Sequence, residues 1–462
     1  MERYDLAVMG SGPAGQKAAI QAAKLKKRVC IIDKKRMVGG VCLHTGTIPS
    51  KTLREAVLYL SGFRQRAFYG RDYTLKDSIS VQDLSVRVRA VVGNQIEVVR
   101  AQLKRNRVDP ITGFARFVDP NTLEIEPDDA EEPAVRITAE HVVVATGTRP
   151  ASNESIPIDG KCVFDADQLL RLDEIPRNVI VVGAGVIGIE YASMLAAMNT
   201  QVTLIDLRED LLDFVDREII DTLRFSLRRL GTTFRLGEKV TKIEIDDRDR
   251  VVAHLESGKR VVGEALLYAV GRTGNTDRIG IETAGLEADN RGRLTVNEHY
   301  QTSQPHIYAA GDVIGFPSLA STSMEQGRLA SCHMFGLPAT TTPDRLPYGI
   351  YTIPEISMVG RTEQQLTSDK IPYEVGISKY EELAKGQMIG DQIGMLKLLF
   401  CPDTLKLLGV HAIGDFAAEI VHIGQAVLSF GGGVDYFRDT VFNYPTMAEA
   451  YKVAALDGLN KI

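Results

Sequence analysis

The chain carries one supersecondary pattern twice. Residues 5–15 read DLAVMGSGPAG, and residues 178–188 read NVIVVGAGVIG. Each copy is a short apolar strand, a GxGxxG turn and the start of an alanine-rich helical pattern. Each then continues into a β-branched strand ending in aspartate: VCIID, ending at Asp33, and VTLID, ending at Asp206. The first glycine precedes that aspartate by 23 residues in both copies. One GxGxxG is weak evidence, because glycine-rich turns occur in many folds. Two copies, each after a strand and each with an acid at the same offset, point to two dinucleotide-binding βαβ units.

The residue types suit that role. Gly10, Gly12 and Gly15 allow a tight turn, a close pyrophosphate approach and close helix–strand packing; Gly183, Gly185 and Gly188 repeat the set. The helix that follows offers free N–H groups and partial positive charge to phosphate. Asp33 can accept hydrogen bonds from ribose hydroxyls. Two different dinucleotides in one chain suggest a flavin and a nicotinamide, since protein side chains are poor hydride carriers. A purely structural duplication is the bland alternative.

With 462 residues the chain exceeds one core, so two to four domains are expected. VVVATGTRP (142–150) and LLYAVGRTG (266–274) are matching strands that end in small residues, and look like crossings at the edge of each nucleotide domain. Val81, Leu84, Val88, Val92, Ile96, Val99 and Leu103 recur every three or four residues, which predicts a long helix. Arg87, Arg89, Arg100 and Arg105 would form its solvated face. A boundary is expected over Leu337–Pro347, where proline and threonine cluster. Beyond it the pattern reads as an antiparallel sheet flanked by helices. One of these is AAEIVHIGQAVLSF, with Ile420, Ile423, Val427 and Phe430 on one side.

The net charge of −6 argues against nucleic acid or an anionic membrane as partner. The most apolar run, Val179 to Met198, holds three glycines and Glu190, so it reads as strand, turn and helix rather than a membrane span. Five cysteines without a CxxC pair argue against a zinc site or a secreted disulfide framework, and no metal is expected. MERYDLAVMG lacks the form of a signal peptide. A reduced, cytoplasmic protein is the expectation.

The segment GGVCLHTGTIPSK (39–51) resembles GGTCLNVGCIPSK of the flavoprotein disulfide reductases, the class-I pyridine nucleotide-disulfide oxidoreductases. The likeness continues through ATG at 145–147, YAAGD at 308–312 and FNYPTMAEA at 442–450. Two departures stand out. Thr47 occupies the place of the second redox cysteine, and Tyr444 that of the histidine before the C-terminal proline. With GRTGNTD (271–277), VIGFPSLAS (313–321) and GIYTIPEIS (349–357), these look like the branch that exchanges hydride between nicotinamide couples.

The resemblance implies an α/β fold with two Rossmann-like domains, for FAD and NAD(P), plus a C-terminal α+β dimerisation domain. The boundaries it implies are 1–148 with 276–338 for FAD, 149–275 for NAD(P) and 339–462 for dimerisation, so a homodimer or larger homo-oligomer. It places Gly39, Gly40, Val41, Cys42, Thr146, Gly147 and Gly271 beside the nucleotides, and Asp312 on the flavin ribityl chain. It brings the Lys51 ammonium near flavin N5, with Glu190 as its ion-pair partner.

Thiol–disulfide exchange needs a dithiol and a base. Thr47 cannot close a disulfide with Cys42, and a tyrosine of ordinary pKa, about 10, is a poor base at neutral pH. Electrons should stop at the flavin and return to a second nicotinamide, making the chain a transhydrogenase between NADPH and NAD+. An NAD(P)H oxidase or peroxidase using Cys42 as a lone thiol is the alternative. Cys42 itself reads either as packing beside the flavin or as a thiolate lowered by a nearby helix start and cations. His44 and His422 read as structural. Asp206 should favour NAD by repelling a 2′-phosphate. Arg208 either supplies a counter-charge that admits both coenzymes or is merely solvated.

Overall fold

The computed structural model describes residues 1–34, 37–70, 72–76, 78–129, 131–151, 153, 155–172, 174–339 and 345–462; the expected boundary at 337–347 therefore lies partly outside the described residues. The chain divides into two compact units. One holds Met1–Leu53, Ser85–Ser152 and Gly271–Thr341, the other Arg54–Leu84, Asn153–Val270 and Thr342–Ile462.

The first unit is built on a seven-stranded sheet. Its parallel part runs Asp109–Thr112, Val29–Asp33, Glu2–Met9, Val135–Val144 and then Ile307–Ala309. Successive side chains of a strand point to opposite faces, and both faces here are covered. Leu6, Val8, Val29, Ile31 and Val143 pack with Ala18, Ala19 and Ala22 of the helix Pro13–Lys24 and with Val99 and Leu103. Ala7, Met9, Cys30, Ile32, Val142 and Val144 pack on the other side with Phe117, Leu123 and Ile125. This two-sided burial explains why these strands read as unbroken apolar runs. The long helix forms as the spacing predicts, over Val81–Arg105, and its four arginines are exposed.

In the second unit a five-stranded parallel sheet has the order Thr233–Leu236, Gln201–Asp206, Asn178–Val182, Ala265–Tyr268, Val163–Asp165. Ile180, Val182, Ile205 and Leu266 on one face pack with Val251, Ala253 and Leu255 of a three-stranded antiparallel sheet. The C-terminal part of the same unit is an antiparallel sheet of five strands, Tyr348–Ile350, Ile356–Gly360, Leu407–Ile413, Met395–Phe400 and Glu374–Lys379. The helices Ala417–Ser429 and Glu449–Leu459 supply Ile420, Val421, Tyr451 and Ala454 to its core. Phe430 departs from expectation: the helix stops at Ser429, three glycines follow, and the ring is 92% exposed. Among the described residues no helix is long and apolar enough to cross a membrane.

A buried ion cluster ties the second nucleotide fold to the C-terminal sheet. Lys397 is fully buried, and its Nζ donates to Asp216 and Glu218 at 2.9 Å each and to Glu363. Burial opposes the lysine charge, but the three carboxylates raise its pKa well above the ordinary value. Asp216 also caps the helix Arg217–Arg229 by accepting from the Glu218 N–H at 3.2 Å. The three acids alone resemble a cation site; the lysine ammonium is the cation that fills it. Removing one partner of a buried pair strands the others. Lys397→Met should therefore cost about 3 kcal/mol of stability, read as a lowered unfolding midpoint. Lys242→Met, which breaks an exposed pair with Glu244, should leave that midpoint nearly unchanged.

Candidate active site

The first glycine turn is shaped by contacts that only hydrogen allows. Gly10 has φ +106°, and a methyl placed there would lie 2.3 Å from the Ala145 carbonyl oxygen. A methyl on Gly15 would lie 1.9 Å from the Gly10 oxygen, whereas one on Gly12 meets no protein atom within 4 Å. The middle glycine thus faces open space, at the start of a helix with Pro13 in its first turn and no side-chain cap. Its free N–H groups are a ready phosphate site. Asp33 closes the turn: its Oδ2 accepts from the Ser11 N–H and hydroxyl, both at 2.7 Å. The Ser11 oxygen in turn accepts from Gly39 N–H at 3.0 Å. Burial raises the Asp33 pKa, and the Ser11 hydrogen bonds oppose this. Ser11 was not among the residues the sequence singled out, because a serine between two glycines carries no signature of its own.

Gly39 and Gly40 both have positive φ, +94° and +64°, and a methyl on Gly40 would come 2.8 Å from the Gly12 Cα. The GGVC segment therefore lies against the phosphate turn. Val41 and Cys42 sit on the short helix Gly40–His44, and Lys51 on the helix Thr47–Leu60. Burial pushes the Cys42 thiol up, with Asp312 adding to the effect; the Thr47 side-chain hydrogen bond, the Lys51 charge and the Ile48 backbone oppose it. The balance is upward, which favours the packing reading of Cys42 over the lowered thiolate: burial outweighs the helix start and the cation. All five cysteines are free. His44 bonds the Val38 carbonyl at 3.0 Å, and the exposed His422 bonds Gln425 at 2.8 Å.

Asp312 faces the same region. Burial raises its pKa, against Arg272 and a long 3.4 Å hydrogen bond from Thr148. Arg272 holds Thr148 by its hydroxyl at 2.8 Å and its carbonyl at 2.9 Å. Among the described residues the buried Thr45 and Thr146 hydroxyls have no partner. Gly147 (φ +65°) and Gly271 (φ +145°) would each carry a methyl into open space. Orphaned hydroxyls, a weakly partnered buried carboxylate and an open glycine turn fit FAD: Gly12 and the helix start for pyrophosphate, Asp33 for ribose, Thr45, Thr146 and Asp312 for the flavin end.

The second unit repeats the turn. Gly183 (φ +102°) would place a methyl 2.4 Å from the Ala269 oxygen, Gly188 one 1.9 Å from the Gly183 oxygen, and Gly185 none within 4 Å of anything. Asp206 accepts from the Ala184 N–H at 2.5 Å. Arg208 also forks onto it, Nε to Oδ1 at 3.0 Å and Nη2 to Oδ2 at 2.9 Å. Burial pushes the Asp206 pKa up, but the Arg208 bonds hold it below the ordinary value. Glu190 is buried on the helix Val186–Ala197 and accepts from the Tyr351 N–H at 2.8 Å. One turn on, Ser193 accepts from the Ile353 N–H at 3.0 Å. Arg54 grips the same segment through the Thr352 carbonyl and Glu355, both at 3.0 Å. Tyr351, Ser193 and Arg54 join positions distant in sequence and left no local signal. Tyr444 is 74% exposed.

Residues 4–327 match the pyridine nucleotide-disulphide oxidoreductase family, and residues 346–455 its dimerisation domain. The chain belongs to that family. Relatives named soluble pyridine nucleotide transhydrogenase include one from Mycobacterium bovis, 54% identical over 462 residues (100% of this chain, 98% of the relative). Another, from Colwellia psychrerythraea, is 45% identical over 465 residues (99% and 98%). Among solved structures, LpdA from Mycobacterium tuberculosis superposes with TM-score 0.89 at 25% identity, covering 99% of both chains. The HOCl-induced flavoprotein disulfide reductase RclA from Escherichia coli superposes with 0.86 at 27% identity, covering 98% of this chain and 99% of that one. FAD is the family's cofactor, and the first unit's turn and cradle fit it.

For a pyridine nucleotide-disulphide oxidoreductase the arrangement at 42 and 47 is a thiol beside a hydroxyl, which cannot cycle as a disulfide. The glycine geometry separates folding from binding in this family member. Gly12→Val should leave the fold intact and strip most FAD, whereas Gly10→Val should prevent soluble folding; flavin absorbance per chain and a melting curve check both.

Proposed function

We propose that the chain moves hydride between NADPH and NAD+ in a ping-pong sequence at one nicotinamide site. One observation carries this reading: position 47 holds a threonine, so the free Cys42 has no sulfur partner there to carry electrons onward. Full-length relatives named for the same reaction support it. When bound, FAD supplies the ring that accepts and returns hydride. The chain's part is positional. Gly12 and Gly185 admit the two pyrophosphates to uncapped helix starts. Asp33 meets the FAD adenosine ribose, and Asp206 with Arg208 the ribose end of the nicotinamide coenzyme. Asp312, Thr146 and Thr45 hold the flavin end. We assign Lys51 and Glu190 the catalytic charges at the reacting ring, with Glu190 kept in place by the Tyr351 N–H. Proximity and orientation supply much of the rate.

The domain reading that accompanies this is FAD on 1–148 and 276–338, nicotinamide on 149–275 and chain pairing on 339–462. The exposed apolar side chains Phe430, Val441, Tyr444, Val453 and Leu456 support pairing through the C-terminal part into a homodimer or larger. Five free thiols and the acidic charge balance support a cytoplasmic setting without nucleic acid or membrane partners. The raised Cys42 thiol weighs against a lone-thiol peroxidase.

Anaerobic NADPH should bleach the yellow protein, and NAD+ should restore the colour. Cys42→Ser should retain transhydrogenation within about threefold, as a neutral packing residue would. Brisk turnover of a disulfide substrate, or bleaching that NAD+ cannot reverse, would sink the reading.

A further inference from the structure

Asp33 and Asp206 hold the same offset from their turns, yet their hydrogen bonds differ. A carboxylate has about four acceptor directions. Among the described residues Asp33 uses three, for the Ser11 N–H, the Ser11 hydroxyl and the Lys34 N–H at 2.8 Å. Among those residues, one remains for a ribose hydroxyl. Asp206 uses all four: the Ala184 N–H, the Arg208 N–H at 2.8 Å, and the Arg208 Nε–H and Nη2–H. It has no direction left for a ribose.

The backbone around Asp206 is pinned. Its carbonyl accepts from the Glu238 N–H and that of Arg208 from the Gly237 N–H, both at 3.0 Å. Only the Arg208 side chain is free to give way: it is 47% exposed, against 7% for Asp206. A guanidinium has five donors, and the fork spends two. The other three can face a 2′-phosphate while the fork stays in place, with the Asp206 charge already neutralised. A ribose bearing two free hydroxyls needs the reverse: Arg208 must leave before Asp206 can accept.

We propose that Arg208 sets coenzyme preference by competing with the NAD(H) ribose for Asp206, so that the forked position is the NADP(H)-competent one and NAD(H) must displace it. This rests on the reading that both coenzymes use the 183–188 turn. It differs from a simple phosphate clamp in one respect. A clamp, once removed, weakens NADP(H) alone. A competitor, once removed, also strengthens NAD(H).

The test is equilibrium binding of NADP+ and NAD+ to the oxidised holoenzyme, followed through the flavin spectrum. No turnover is involved, so the result stands apart from whether transhydrogenation occurs. Arg208→Ala should weaken NADP+ roughly tenfold or more, as loss of charge-assisted bonds to phosphate does. It should also tighten NAD+ by about threefold or more. Arg208→Lys, which cannot fork across both oxygens, should tighten NAD+ while keeping more of the NADP+ affinity. Flavin content and melting temperature equal to the parent's certify each variant; should the alanine variant fail this, the lysine variant decides. Unchanged or weaker NAD+ binding overturns the proposal, leaving a clamp if NADP+ is weakened and a solvated arginine if neither coenzyme responds.

Discussion

A backbone carbonyl lies against the first glycine of each phosphate turn, and the architecture of both nucleotide folds follows from that contact. The oxygens of Ala145 and Ala269 sit where a side chain on Gly10 or Gly183 would go. Each belongs to the residue just after a parallel strand, so the turn and the end of that neighbouring strand are held together. The aspartate at the end of the next strand then binds the N–H of the residue after that glycine, Ser11 in one copy and Ala184 in the other. Phosphate turn, ribose acid and strand end thus move as one body. An incoming dinucleotide meets donors already in place, which lowers the ordering cost of binding.

The chemistry at the flavin end is set by what burial does to charge. Cys42 lies near a cation and a helix start, features that usually make a thiolate. Burial nevertheless wins, with the Asp312 carboxylate pushing the same way. A neutral thiol bonded to a threonine is chemically quiet. Such a site neither forms a disulfide nor offers much thiolate to a peroxide. In the proposed ping-pong reading, reducing equivalents leave by the route by which they arrive.

The fold was legible wherever its cause is local. Unbroken apolar strands, the glycine offsets and the seven-residue apolar face from Val81 to Leu103 each reflect a period within one element, and each forms as read. Phe430 was misplaced because a helical period was carried one residue past the helix end, into a run of glycines. The residues proposed for the cradle were picked out only through resemblance, since a lone cysteine or aspartate has no spacing to betray it. What stayed hidden joins distant positions. Lys397 reads as one charge inside the run MLKLLF, and nothing nearby reveals that Asp216, Glu218 and Glu363 converge on it. The Glu190 bond to Tyr351 crosses 161 residues, and the Arg54 bond to Thr352 crosses 298. A sequence can display the charge; only the tertiary fold can show that the charge is spent.

The two turns illustrate how one pattern serves two kinds of ligand. A resident cofactor is bound once, and its ribose acid can be fixed. Asp33 is fixed by Ser11, whose hydroxyl joins the phosphate turn to the GGVC segment and leaves one acceptor direction open. A substrate that enters and leaves in two forms needs an acid whose exposed charge can change with the visitor. Ala184 has no hydroxyl to offer, and the second acid is instead bonded by the half-exposed Arg208 guanidinium two residues along its own chain. The substitution of serine by alanine after the first glycine, with an arginine beyond the aspartate, turns a permanent cradle into an adjustable one. The two copies thus differ in the partners of their aspartates, while the glycine contacts that shape the turn are kept the same.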